Sequence, residues 1–183
     1  LAAKLLARPN SRNILILGAG TVAHSLRQAY GDFFPDAHFS IWNRTSERAE
    51  KFAANFPDTV AVNDLEKAIS DADIISAATM SSEPLINGKW LKPGQHVDLI
   101  GAYRPDMREA DDTTLKRSKI YVDSFETTID HIGELKIPIA SNVIKREAVI
   151  SDFYNIGAFQ RSSDSEITLF KNGGGAHLDL MTA

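Results

Sequence analysis

Gly18, Gly20 and Ala23 fall on a G-x-G-x-x-A spacing, directly after the apolar run Ile14 to Leu17 and directly before a segment with helical periodicity. Small residues at these intervals suit a dinucleotide. The first glycine permits a tight turn, the second lets the backbone approach a pyrophosphate, and Ala23 lets the following helix pack close to the strand. Ala19 completes the turn, and Thr21 and Val22 open the helix, whose free N–H groups and positive dipole end face the phosphates.

A second group of residues bears on which dinucleotide is taken. An Asp or Glu about 20 residues past the glycines would accept hydrogen bonds from the adenosine ribose 2′-OH and mark an NAD site. Here the next apolar segment ends Trp42-Asn43-Arg44-Thr45-Ser46, with no carboxylate at its tip. Asn43 is neutral, Arg44 and Arg48 supply cations one helical turn apart, and Thr45 supplies a hydroxyl. That set suits a 2′-phosphate, so NADP is expected before NAD. The alternative is that Arg44 and Arg48 are solvated charges beginning a helix. Two further loops are expected over the cofactor: Ala78, Thr79, Met80 and Ser81 after one strand, and Gly101 and Ala102 after the next.

Composition narrows the classes. In 183 residues, 43% are apolar, 24% are charged and the formal net charge is −4, an ordinary globular balance that disfavours a general nucleic-acid or membrane-surface binder. No apolar run approaches the roughly 18–20 residues needed to span a bilayer. There is no cysteine, hence no disulfide, thiolate metal site or cysteine nucleophile. The histidines His24, His38, His96, His131 and His177 lack ligand spacing, so no metal is expected. No secretory leader is recognisable, and a cytoplasmic setting is expected.

The elements that must position these residues alternate. Strands are expected at residues 14–17, 38–42, 60–62, 73–78, 95–101 and 119–123. Helices are expected from Thr21 to about Phe34, from Thr45 or Ser46 to about Phe56, and from Asp64. This alternation means βαβ units and a Rossmann-type, doubly wound parallel α/β sheet with ligands at the strand carboxyl ends. Residues 1–12 read as a helix entering the domain, 13–140 as the dinucleotide-binding domain and 141–183 as a C-terminal segment of weak periodicity. The chain begins on what reads as the end of a helix, so a preceding region is expected.

Several stretches together resemble one family. LAAKLLARPNSRNILILGAGTVA, DLEKAISDADIISAATMSSEPLINGKWLKPGQHV, IGAYRPDMREADD, IYVDSFE and SDSEITLFKNGG, in this order, are similar to the cofactor domain of the ornithine cyclodeaminase/mu-crystallin family. The resemblance implies a dimeric two-domain enzyme. Its N-terminal substrate and dimerisation domain, with the substrate-binding Lys and Arg, precedes Leu1, and the C-terminal segment packs back toward that domain.

In the family's cyclodeaminases, an Asp two residues before a loop proline handles the substrate amine. Counting back from Pro105, Tyr103 stands there, and a phenol of pKa near 10 is a poor base at neutral pH. The resemblance therefore implies the ketimine reductase branch. Its members reduce Δ1-pyrroline-2-carboxylate or Δ1-piperideine-2-carboxylate with NADPH. Tyr103 is then the candidate catalytic residue, and Asn172 the family position that returns to the nicotinamide. The alternatives are ornithine cyclodeamination with recycled NAD, an amino-acid dehydrogenase, and a non-catalytic NADP-binding protein. Without the preceding domain, cofactor binding with little or no turnover is expected.

The remaining polar residues have plainer readings. Arg104 and Asp106 fix the loop, Arg108 and Glu109 open a helix, and Lys171 lies on the surface. His24 is a partly buried helix residue or a phosphate neighbour. Trp42 is sheet core or flanks adenine. Asp98 and Asp123 matter only if they face the cleft.

Overall fold

The computed structural model describes residues 1–174. In chain order the elements are α1 (Ala2–Leu6), β1 (Asn13–Leu17), α2 (Thr21–Phe33), β2 (His38–Trp42), α3 (Ser46–Ala53), β3 (Thr59–Ala61), α4 (Leu65–Asp71), β4 (Ile74–Ala77) and β5 (His96–Leu99). They continue with α5 (Asp112–Arg117), β6 (Ser118–Val122), α6 (Phe125–Thr128), α7 (Gly133–Ala140), β7 (Val149–Ser151) and β8 (Ile167–Lys171). Short 3₁₀ segments lie at Arg146–Ala148 and Phe153–Ala158.

The strands form one eight-stranded sheet in the order β3-β2-β1-β4-β5-β8-β6-β7, and every neighbouring pair is parallel. From β1 the chain winds outward through β2 and β3, then returns to place β4 on the other side of β1. The carboxyl ends of β1 and β4 thus flank the point where strand order reverses, where doubly wound sheets bind ligands.

Alternation along the strands divides the core. Ile14 and Ile16 join Ala23, Tyr30, Ile41, Ala49 and Phe52 on the face covered by α2 and α3. Leu15 and Leu17 join Ile75, Val97, Leu99, Ile120, Val122 and Leu169 on the other. A parallel sheet covered on both sides needs this two-faced apolar pattern. Ala23 is fully buried against the β1 side chains, as the fingerprint spacing requires.

Three features depart from the sequence reading. Weak periodicity beyond residue 140 predicts no strand, yet β7 and β8 lie there, and β8 is inserted between β5 and β6. Arg108 and Glu109 open no helix. Asp111 is the N-cap of α5, its carboxylate accepting the Thr114 N–H at 2.7 Å, and Glu109 lies fully buried ahead of it. Lys171 is not on the surface but completely buried at the end of β8.

Candidate cofactor cleft at the carboxyl edge of the sheet

A cleft of about 330 Å³ opens over the carboxyl ends of β1, β2 and β4. Gly18, Ala19 and Gly20 form its floor, Asn43, Arg44 and Arg48 one wall, and Ala78, Thr79, Met80 and Ser81 the other. Trp42 and Leu85 complete the lining. Trp42, given two readings from sequence, is a partly buried wall residue that also packs against the core.

Each glycine has a distinct reason to be there. Gly18 has φ +99°, a left-handed conformation that disfavours side chains, and a Cβ on it would stand 2.6 Å from the Ala78 carbonyl oxygen. At Gly20 a Cβ would meet nothing within 4 Å. Packing therefore does not require glycine at that position; the open space above it is where a side chain would intrude on a ligand. This space, next to the unpaired first turn of α2, fits a pyrophosphate.

The tip of β2 is fixed by Asn43, whose Nδ2 donates to the Thr45 carbonyl at 3.0 Å. Arg44 and Arg48 are exposed and belong to no ion pair among the described residues. Thr45 holds the N-cap position of α3 without a side-chain capping bond, and it does not line the cleft. Thr21 and Val22 sit in the first turn of α2, exposed and outside the lining. His24 packs on Phe52 and Phe56, ring centroids 4.4 and 5.5 Å away, and also stays outside it.

Next to the cleft, the β5 loop is built around Glu109. Its Oε1 accepts the Thr79 N–H and hydroxyl, each at 2.7 Å, and its Oε2 accepts the Gly101 and Ala102 N–H groups at 2.8 and 3.1 Å. Gly101 and Ala102 thus serve the cleft by fixing this loop rather than by lining it, and Ala102 is fully buried. A Cβ on Gly101 would collide with the Thr79 backbone.

Glu134, in the first turn of α7, accepts the Glu109 and Ala110 N–H groups at 2.7 and 3.1 Å. The Lys171 ammonium donates to the Leu99 carbonyl at 3.1 Å. Burial pushes the Glu109 carboxyl up and the Lys171 ammonium down, their mutual attraction opposing both. Burial raises Glu134 to about 7, against the pull of Lys171.

Tyr103 projects from this loop and is 56% exposed. Arg104 pairs with Asp106, Nε to Oδ1 at 3.1 Å, a loop-fixing contact as the sequence suggested. Asp98 lies within β5 and accepts the Tyr30 hydroxyl at 2.6 Å, on the α2 side of the sheet. Asp123, beyond β6, accepts the Gly173 N–H at 2.8 Å and the Thr128 hydroxyl at 2.6 Å. Asn172 donates its N–H to Leu99 and accepts the Gly174 N–H, which places it at the end of β8, outside the cleft lining. Among the described residues, no group of three or more acidic or histidine side chains is placed to hold a metal. His177 lies outside the described residues.

The sequence model of the ornithine cyclodeaminase/mu-crystallin family matches residues 1–183. The chain belongs to this family. It is 52% identical over 191 residues to a Δ1-pyrroline-2-carboxylate reductase of Paracoccus denitrificans, covering all of this chain and 60% of that protein. Among solved structures, Thermococcus litoralis Δ1-pyrroline-2-carboxylate reductase in complex with NADH and L-proline superposes with a TM-score of 0.88 at 30% identity, over 94% of this chain and 56% of that one. An archaeal alanine dehydrogenase dimer with bound NAD superposes with a TM-score of 0.90 at 32% identity, over 98% of this chain and 57% of that one. The chain therefore spans a little under two thirds of the length of these relatives. It shares a parallel, Rossmann-like sheet with the two solved structures. No helix among the described residues is long and apolar enough to cross a membrane.

Proposed function

We propose that the complete protein reduces a cyclic ketimine carboxylate, Δ1-pyrroline-2-carboxylate or Δ1-piperideine-2-carboxylate, to L-proline or L-pipecolate, with NADPH preferred over NADH. One observation carries the choice of a reductase over a lyase: Tyr103 stands exposed at the head of the β5 loop, and among the described residues that loop brings no unpartnered carboxylate beside it. Asp106 is paired with Arg104, and Glu109 is buried and occupied by four donors. A phenol handles a substrate amine poorly as a base near neutrality. As a hydrogen-bond partner to the imine acid or to the nicotinamide amide it suits a reductase.

When bound, the dinucleotide supplies the hydride. This chain's residues bind and orient. Gly18 to Gly20 and the first turn of α2 receive the pyrophosphate, Thr79 and Met80 border the ribose, and Arg44 and Arg48 attract a 2′-phosphate. The preference for NADPH rests on those two arginines beside the neutral Asn43, whereas the solved neighbours carry NADH or NAD. Residues that grip the substrate carboxylate and protonate the imine nitrogen are expected in the portion of the relatives that this chain does not span. A cytoplasmic homodimer is the assembly this reading implies.

The test is NADPH oxidation by the complete polypeptide with Δ1-pyrroline-2-carboxylate, run beside ammonia release from ornithine with NAD. Turnover of NADPH without ammonia is the expected result. Ammonia release without net NADPH consumption would overturn the reading.

A further inference from the structure

We infer that Glu109 and Glu134 are positioning residues: with Lys171 they form a buried polar cluster that sets the separation of the Ala78–Ser81 loop from the Gly101–Glu109 loop, and so the geometry in which cofactor and substrate meet. The inference rests on the reductase reading and adds to it residues that never touch either ligand.

The geometry carries it. One carboxylate, Glu109, takes donors from two different strand ends: Thr79 beyond β4 on one oxygen, Gly101 and Ala102 beyond β5 on the other. The Glu109 backbone is in turn held by Glu134. Lys171 ties the end of β8 to Leu99, the last residue of β5. All three side chains are fully buried. A fold needing only stability is served as well by apolar residues here, because buried ion clusters seldom out-stabilise hydrophobic packing. What the carboxylates add is direction. Their bonds run to loop N–H groups and hold those loops at fixed height, and a shift of about 1 Å in reacting geometry costs on the order of a hundredfold in rate.

Lys171 from β8 and Glu109 from the β5 loop face Glu134, and the charges of Asp123 beyond β6 and of Asp98, on the opposite face of the sheet, act on Lys171 in turn. A carboxylate at Glu134 accepts both N–H groups. Once protonated, it keeps one good acceptor and turns an O–H toward the other. The cluster therefore grips the loop better above the Glu134 transition, at about 7, than below it.

The experiment is equilibrium titration of the complete polypeptide with NADPH and NADH, from about pH 6 to about pH 8, for the parent and Glu134→Gln. Titration of the 2′-phosphate is common to both proteins and cancels in the comparison. The parent is expected to tighten with rising pH by roughly tenfold more than the variant, which keeps the weaker, low-pH affinity throughout. A folded Glu134→Gln whose affinity runs parallel to the parent's overturns the inference.

If the variant does not fold, amide exchange in the parent decides. Gly101 and Ala102, corrected for intrinsic exchange and referred to the core amides of β1, should gain protection relative to those amides above the transition, and an unchanged relative protection overturns the inference. A parent that binds neither dinucleotide removes the reductase reading itself and this inference with it. A parent that binds with no differential pH effect removes the inference alone.

Discussion

Gly18 and Ala78 meet backbone to backbone, the first residue beyond β1 against the first beyond β4, with 2.6 Å between the Ala78 carbonyl oxygen and the place a Gly18 Cβ would take. The two strand ends on either side of the switch point are therefore in direct contact, and the cleft floor cannot spread without breaking it. Gly18→Ala should destabilise the protein by about 2 kcal/mol or more, from the clash and the left-handed backbone together. Gly101→Ala should do the same against Thr79. Gly20→Ala, with open space around its Cβ, should leave stability within about 0.5 kcal/mol while weakening dinucleotide binding at least about tenfold. Chemical denaturation beside cofactor titration separates the two classes. Equal destabilisation by all three would mean that Gly20 is a packing residue.

Arg44 stands exposed at the tip of β2 without an ion pair, so its removal leaves no buried charge behind. Arg44→Ser is expected to weaken NADPH binding by about tenfold, the loss of one charge-assisted fork, and to leave NADH within about twofold. Parallel loss of both affinities would show that Arg44 acts on a part common to the two cofactors.

Tyr103 is exposed on a loop whose fixed points lie elsewhere, so replacing it costs little stability. Tyr103→Phe in the complete polypeptide should keep the melting temperature and cofactor affinity while lowering kcat/KM for the ketimine about tenfold, the loss of one hydrogen bond to a polar or charged partner. Unchanged kinetics would make Tyr103 an ordinary exposed loop residue.

Two buried groups give opposite pH dependences of stability. His96 is completely buried, and burial lowers its pKa from 6.5 to about 3. Below 6.5 the unfolded chain gains a proton that the native state refuses, so this contribution to stability is lost as pH falls toward about 3. For Glu134, raised from 4.5 to about 7, the native state holds a proton the unfolded chain has released, and stability is lost as pH rises through that window. Over their overlap the two effects oppose each other. Relative to the parent, Glu134→Gln should gain stability as pH rises, and His96→Gln should gain it as pH falls. Each slope should approach about 1.4 kcal/mol per pH unit. Urea denaturation across the range reads both, and slopes matching the parent's would mean that neither group changes its proton affinity on folding.

Local signals made half of this molecule readable. β1, the glycine turn and α2 follow from an apolar run, two glycines and a small residue at fixed offsets, and Asp64 caps α4 by accepting the Lys67 N–H, as its type and place suggested. The cleft walls follow because topology alone puts the loops after β2 and β4 beside that turn. The rest depends on partners distant in sequence. Ile167 to Lys171 is a short strand buried on both faces, so it shows no alternation, and its lysine reads as solvent-exposed. Lys171 is buried because Glu109, Glu134 and Asp123 converge on it from three other segments, and nothing near it in sequence announces them. The inward turn of Glu109 is hidden in the sequence for a related reason. It lies in an acidic stretch with several possible helix caps, and only the structure shows Asp111 taking that role while Glu109 turns inward.

The position of β8 between β5 and β6 bears on how this sheet can assemble during synthesis. When β5 and β6 have left the ribosome, the strand that must separate them has not yet been made. At ~5–20 residues per second, residues 123–166 take several seconds to appear. Throughout that interval both strands present unpaired edges. β1 to β5 can pair as they emerge, whereas β6 and β7 gain their place in the sheet only when Ile167–Lys171 slots in. A nascent chain halted before residue 167 should therefore carry a formed nucleotide turn together with an open, association-prone half-sheet.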